Sequence, residues 1–178
     1  ISTFKNFLVL EERNNGLRKI KLRNLSSGLD SYISIDEETY SLNLGLNDDY
    51  TSDEIFYSYN SMTTPSTIFQ YNMVSNTKKV WFEKTLMDPS FKSSDYESQR
   101  IWATANDGEK IPVSIVYKKG IDLKTAPCLL YGYGSYGYTI PDGFSALRIS
   151  LLNRGFVFAS AHIRGSKYMG ETWYEDGK

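Results

Sequence analysis

The feature that most limits the possible folds of this chain is a short apolar run followed by glycines that alternate with tyrosines. Residues 128–130 are apolar, follow Pro127 and lead into Tyr-Gly-Tyr-Gly-Ser-Tyr-Gly over residues 131–137. An apolar run this short, bounded by residues that break helices, is typical of a buried strand. The glycines allow positive φ and the close approach of another segment or a ligand. Because open α/β sheets bind ligands beyond the carboxyl ends of their strands, this loop is a candidate binding site.

The segments around this loop predict an α/β unit. Apolar residues at 144, 147, 151 and 152 have helical spacing, with Asp142 as the expected N-cap and Gly155 as the end of the helix. Residues 156–161 form an apolar run without alternation, as parallel strands do. Before the loop, Asp107-Gly108 predicts a hairpin turn between two antiparallel strands. The order hairpin, strand, loop, helix, strand belongs to the α/β class.

The first half of the chain has a different pattern, which predicts only strands. Asn14-Asn15-Gly16 is a strong signal for a two-residue hairpin of type I′. Short apolar runs separated by turns at intervals of roughly ten residues predict a sandwich, a barrel or a propeller blade. Residues 88–96 are polar and contain Asp-Pro-Ser, which indicates a linker. The predicted organisation is therefore mixed β and α/β, with an all-β part over residues 1–87 and an α/β part over 97–178.

Composition and charge narrow the classes of partner. The chain has 20 basic and 21 acidic side chains, which gives no reason to expect a nucleic-acid or anionic membrane partner. No apolar run approaches the roughly 18 residues that a membrane-spanning helix needs. The single cysteine, Cys128, lies in the apolar run and is expected to be a small core residue in a reducing, cytoplasmic setting. Because the sequence starts without Met, we expect a piece of a longer protein.

The sequence contains no complete set of catalytic residues. A nucleophile elbow needs Gly-x-Ser-x-Gly, but Tyr133 stands two residues before Ser135, and Ser166 lacks a glycine at both flanking positions. We therefore expect Ser135 to be a loop hydroxyl and Ser166 not to be a nucleophile. His162 is the only histidine, and no cysteine cluster accompanies it, so neither a metal nor another cofactor is expected. The simplest prediction for His162 is a hydrogen-bonded side chain at the end of a strand.

Stabilisation of a developing negative charge needs fewer groups, since one hydrogen-bond donor suffices. Tyr133 follows the apolar strand, in the region where hydrolases of this architecture place one oxyanion donor. The residues alone leave two alternatives for its side chain, an oxyanion donor or a packed aromatic ring. They also leave open a different class of protein, a non-catalytic β-rich binding or structural module in which the tyrosine loop grips a partner.

Several motifs in collinear order resemble the oligopeptidase B branch of the prolyl oligopeptidase family of serine peptidases. The resemblance covers nearly the whole chain. The segments that carry it are 9–13, 59–65, 107–114, 131–137, 152–156, 161–165 and 173–178.

This resemblance implies a fold and an activity. Residues 1–87 would be the last strands or blades of a β-propeller, residues 88–96 a linker, and 97–178 the start of an α/β-hydrolase domain. The protein would cleave short peptides after Arg or Lys, with Tyr133 as the oxyanion tyrosine and Tyr136 lining the substrate pocket. The Ser-Asp-His triad of the family would lie beyond Lys178, so the chain should be inactive alone. We expect the rest of the protein, or a second copy, to cover its exposed sheet edges.

One segment departs from the family pattern. Where the family usually has Gly-Gly-Glu after Arg-Gly, this chain has Ser166-Lys167-Tyr168. The change affects both flexibility and charge near the expected domain interface. Arg164 is expected to anchor backbone carbonyls or a carboxylate. Trp173 and Tyr174 are expected to be core or interface aromatics rather than substrate contacts.

Overall fold

The computed structural model describes residues 1–178, which form three four-stranded sheets. The first sheet is antiparallel, with its strands in sequence order. Its strands are β1 (Ser2–Thr3), β2 (Phe7–Asn14), β3 (Leu17–Asn24) and β4 (Asp30–Tyr32). The hairpin predicted between β2 and β3 is confirmed, since Asn15 has φ 49° and Gly16 has φ 82°. Positive φ at both central residues is the signature of a type I′ turn.

The second sheet is also antiparallel and in sequence order. Its strands are β5 (Ser41–Leu44), β6 (Glu54–Asn60), β7 (Thr67–Asn72) and β8 (Thr77–Glu83). Burial alternates along β6, which places Ile55, Tyr57 and Tyr59 in the core that this sheet shares with the first. The prediction of an all-β first half is therefore confirmed.

The third sheet is mixed and contains the α/β unit. Its strands are β9 (Tyr96–Thr104), β10 (Lys110–Lys118), β11 (Cys128–Gly132) and β12 (Val157–Ala161), in the spatial order β11-β12-β10-β9. A 3₁₀ turn over Ser93–Asp95 precedes β9, and the helices are α1 (Ala146–Asn153) and α2 (Glu171–Glu175). Strand β11 runs parallel to β12 with α1 between them, which confirms the predicted strand–helix–strand unit. Neither helix has the length and apolar character needed to cross a membrane.

The prediction that β11 is buried and that Cys128 is a core residue is wrong for this chain. Every residue of β11 is exposed, including Cys128. The reason is topological, because β11 lies at the edge of its sheet and pairs only with β12. Leu129 and Leu130 thus present an uncovered apolar surface. Strand β10, which has a neighbour on each side, is buried over most of its length instead.

The predicted N-cap of α1 is also wrong. Ser145 caps the helix, and its side chain accepts a hydrogen bond from the backbone N–H of Arg148. The helix begins at Ala146, so Asp142 is too far away along the chain to cap it and is buried elsewhere. The predicted end is confirmed, since Gly155 has φ 84° and its N–H donates to the carbonyl of Leu152.

Candidate functional site

The tyrosine loop that follows β11 forms an open depression of about 570 Å³. Its walls are Tyr131, Tyr133, Ser135, Tyr136, Gly137 and Tyr138. Tyr133 is 41% exposed, and its ring meets the ring of Tyr138 edge-on at a centroid distance of 5.9 Å. Tyr136 is 93% exposed and has φ 59°. Ser135 is exposed and makes no side-chain hydrogen bond to a base, as expected for a loop hydroxyl.

A second loop, after β12, holds the tyrosine loop through its backbone. The N–H of Gly137 donates to the carbonyl of Gly165 at 2.8 Å, and the N–H of Lys167 donates to the carbonyl of Gly137 at 3.2 Å. The second loop is braced in turn by Ser166, which is buried and whose hydroxyl donates to the carbonyl of Ile163 at 2.8 Å. The segment that departs from the family pattern therefore supports the conformation of the tyrosine loop.

Behind this second loop lies a buried serine–histidine–aspartate cluster. The relative exposures of Ser114, His162 and Asp142 are 0%, 1% and 3%. His162 Nε2 lies 2.8 Å from the Ser114 hydroxyl and 3.2 Å from a carboxylate oxygen of Asp142, whereas Nδ1 has no partner. A catalytic triad places the carboxylate and the serine on opposite ring nitrogens. Because both contacts converge on Nε2 and no substrate can reach the hydroxyl, this cluster is structural, as predicted for His162.

Tyr168 completes the cluster and was not singled out by the sequence. Its ring stacks on His162 at a centroid distance of 3.7 Å, and its hydroxyl donates to Asp142 at 3.2 Å. Burial, reinforced by the charge of Asp142, raises the pKa of Tyr168, so the hydroxyl remains a donor. The ring also packs against Gly16 in the hairpin of the first sheet. The only sequence signal was that a tyrosine stands where the family usually has glutamate.

The remaining predicted residues have structural contacts. Arg164 pairs with Asp107 at 2.6 Å, which confirms its expected role as an anchor. Trp173 is buried, and its indole N–H donates to the carbonyl of His162 at 3.1 Å. Tyr174 is partly buried and lies beside two lysine ammonium groups. Both aromatic residues therefore contribute to packing.

Antiparallel four-stranded sheets followed by a mixed sheet with an exposed tyrosine loop define a β-sheet domain joined to an α/β domain. The chain matches two descriptions of one peptidase family. Residues 1–84 match "Prolyl oligopeptidase, N-terminal beta-propeller domain" and residues 142–178 match "Prolyl oligopeptidase family". The chain belongs to the prolyl oligopeptidase family, and its first two sheets are propeller blades that precede the start of the peptidase domain.

Individual relatives agree with this assignment. The chain is 42% identical over 178 residues to dipeptidyl aminopeptidase BI of Pseudoxanthomonas mexicana, covering 98% of this chain and 24% of that protein. It is 35% identical over 176 residues to protease 2 of Moraxella lacunata, covering 98% of this chain and 25% of the relative. Among solved structures, oligopeptidase B of Trypanosoma brucei with covalently bound antipain superposes with a TM-score of 0.88 at 34% identity, over 99% of this chain and 26% of that one. The chain thus spans about a quarter of the length of these relatives.

Proposed function

We propose that this chain is part of a serine oligopeptidase that hydrolyses short peptides after Arg or Lys through an acyl-enzyme. In the proposed reaction, the Tyr133 hydroxyl donates a hydrogen bond to the oxyanion of the tetrahedral intermediate, while Tyr136 lines the substrate pocket. A donor fixed where negative charge develops stabilises the transition state more than the ground state. The serine, aspartate and histidine of the triad would come from the part of the protein that this chain does not include.

The observation that supports this proposal is the position and exposure of Tyr133. Its side chain is accessible on a loop that follows the carboxyl end of parallel strand β11. Two backbone hydrogen bonds between Gly137 and the second loop, after β12, restrain the tyrosine loop. A phenol hydroxyl needs such restraint to act as a preorganised donor.

Replacing Tyr133 with phenylalanine in the full-length enzyme tests the assignment. Loss of one oxyanion donor typically lowers kcat by about 10²–10³-fold. Tyr138→Phe is the matched control, because it removes a hydroxyl from the neighbouring ring of the same loop. We expect the control to keep kcat within a few-fold of wild type. An unchanged kcat in Tyr133→Phe on an Arg-containing peptide would refute the proposed role.

The chain by itself should not hydrolyse peptides. Its only histidine is buried and bonded to a buried serine, so it offers no base to an exposed nucleophile. Electrostatic stabilisation without a nucleophile leaves only a small part of the catalysis. Hydrolysis of a peptide substrate by the purified 178-residue chain, at the rate of the full-length protein, would contradict this proposal.

Dipeptidyl aminopeptidase activity is a second candidate, because the relative with 42% identity carries that name. The two activities differ in whether the peptide needs a free amino terminus. Peptides with Arg at the second position, either free or acetylated at the amino terminus, distinguish them in the full-length enzyme. Cleavage of the acetylated peptide supports the oligopeptidase, and cleavage of only the free peptide supports the aminopeptidase. Cleavage of neither favours the non-catalytic binding module.

We further propose that residues 88–96 link a propeller part over 1–87 to a peptidase part over 97–178, and that the protein is cytoplasmic. The 3₁₀ turn over Ser93–Asp95 and the start of β9 at Tyr96 support a boundary in this region. The rest of the protein, or a second copy, would cover edge strands such as β11. Sedimentation of the isolated chain as a stable, compact monomer would count against that covering.

A further inference from the structure

Two arginine side chains face each other across the first hairpin. In the register of β2 and β3, Arg13 lies directly opposite Arg18. Like charges in this arrangement destabilise a sheet unless something neutralises them. Neither arginine belongs to any of the ion pairs of the chain. Burial and the charge of Arg18 lower the pKa of Arg13, whereas the charges of Tyr168 and Asp142 act in the opposite direction.

The carboxylates near this pair have other partners. Glu11 accepts a hydrogen bond from the backbone N–H of Leu44 at 2.7 Å, and Glu12 accepts one from the hydroxyl of Tyr32 at 2.7 Å. Asp142 is buried, and its oxygens lie next to the Tyr168 hydroxyl and the ring of His162. Neither arginine therefore has a carboxylate in ion-pair contact, and Asp142 is the one carboxylate whose charge acts on Arg13.

Arg13 and Arg18 both line a cavity of about 280 Å³. The first hairpin, the second sheet and the loop over 139–143 all contribute to its walls. Besides the arginines, the wall contains Ser41, Asn43, Asn60 and Thr139, which can donate to a ligand, and one carboxylate, that of the buried Asp142. The cavity is smaller than most sites for drug-sized ligands, which favours a small ligand.

Most of the arginine donors remain free for a ligand. Arg13 uses Nη1 to donate to the carbonyl of Gly16 at 2.6 Å, and Arg18 uses Nη1 to donate to the side-chain oxygen of Asn43. Each guanidinium has five N–H groups in a planar fork that matches the oxygens of a carboxylate or a phosphate. These two contacts hold the guanidinium groups in place and leave their other N–H groups free to donate to a ligand.

We propose that Arg13 and Arg18 form a binding site for a small oxyanion at the junction of the first two sheets with the loop over 139–143. The ligand carries a phosphate or carboxylate group, supplied either by free phosphate or by the carboxyl terminus of a peptide. This site is separate from the depression around Tyr133. The proposal does not depend on the proposed peptidase activity, because binding of the anion is measured without turnover of a peptide.

Isothermal titration of the full-length protein with inorganic phosphate, at constant ionic strength, tests the site. We expect binding that Arg18→Gln weakens at least about tenfold, as expected for the loss of charge-assisted hydrogen bonds. Arg23→Gln is the matched control, because Arg23 lies on the same strand but is already paired with Asp30 at 2.7 Å. The control should bind phosphate like wild type. If Arg18→Gln does not fold, Arg18→Lys replaces it, since lysine keeps the charge but loses the fork.

Two further titrations identify the source of the anion. An acetylated dipeptide with a free carboxyl terminus is compared with its amide. Binding of the acid but not the amide, lost in Arg18→Gln, assigns the site to a peptide carboxylate, whereas binding of phosphate alone assigns it to free phosphate. The proposal is overturned if wild type binds neither anion, if Arg23→Gln weakens binding as much as the Arg18 variant does, or if the Arg18 variant that folds, Arg18→Gln or otherwise Arg18→Lys, binds like wild type.

Discussion

Replacing Gly16 with alanine should strongly destabilise the contact between the first hairpin and the peptidase part. Gly16 has φ 82°, a conformation that costs a non-glycine residue about 1–2 kcal/mol. A Cβ at this position would also overlap the ring of Tyr168, at 2.7 Å from Cδ1, and approach Nη2 of Arg100 at 2.8 Å. Forcing extra atoms into a packed site typically costs about 1–3 kcal/mol. The expected loss in the free energy of unfolding is therefore about 2–5 kcal/mol.

The ring of Tyr168 has little freedom to move away. It stacks on His162 and its hydroxyl is bonded to the buried Asp142. Gly28→Ala is the matched control, because Gly28 also has positive φ, 72°, but nothing lies within 4 Å of a Cβ built there. The control should lose only the backbone contribution, about 1–2 kcal/mol.

Differential scanning calorimetry of the two variants separates the contributions. For a unit of this size, each kcal/mol lowers the unfolding midpoint by about 2–4 °C. Gly16→Ala should therefore unfold several degrees below Gly28→Ala. Equal midpoints for the two variants would show that the contact between Gly16 and Tyr168 does not constrain the fold, and would refute the reasoning.

Two further substitutions test buried hydroxyl groups. Tyr168→Phe keeps the stacked ring but leaves an oxygen of Asp142 without its donor, so the free energy of unfolding should fall by about 1–3 kcal/mol in urea titrations; wild-type stability would show that this bond is not needed. Tyr57→Phe should not lower stability at pH 7, because the Tyr57 hydroxyl is buried without a partner. Burial raises the pKa of Tyr57 to about 12, so the unfolded state loses this proton first and wild type should lose stability as pH rises from about 10 towards 12. The variant should lack this part of the alkaline loss, and an unchanged pH profile would contradict the argument.

Much of the local structure could be predicted because it depends on residue type over a few positions. Asn15 and Gly16 tolerate positive φ, and so the turn between β2 and β3 was expected. The strand–helix–strand unit was expected because unbroken apolar runs flank a segment of helical spacing. Even so, Ser145 rather than Asp142 caps α1, since the sequence contains two suitable residues only three positions apart.

Burial was harder to predict, because it depends on which strand lies beside which. The apolar residues around Cys128 have the composition of a core strand, yet β11 is an exposed edge. An apolar composition indicates that a segment is suited to burial, whereas the order of strands in the sheet determines whether neighbouring strands cover it.

By itself, the sequence determined the elements, the tyrosine loop and the family to which the chain belongs. Only the tertiary structure placed Tyr168 between His162 and Gly16, and only the register of β2 and β3, together with the packing of three segments, brought Arg13 and Arg18 to one cavity. The physical reason is that backbone preferences act between near neighbours along the chain. A buried aromatic contact or a shared cavity instead depends on residues that are far apart in sequence and meet only when the sheets pack.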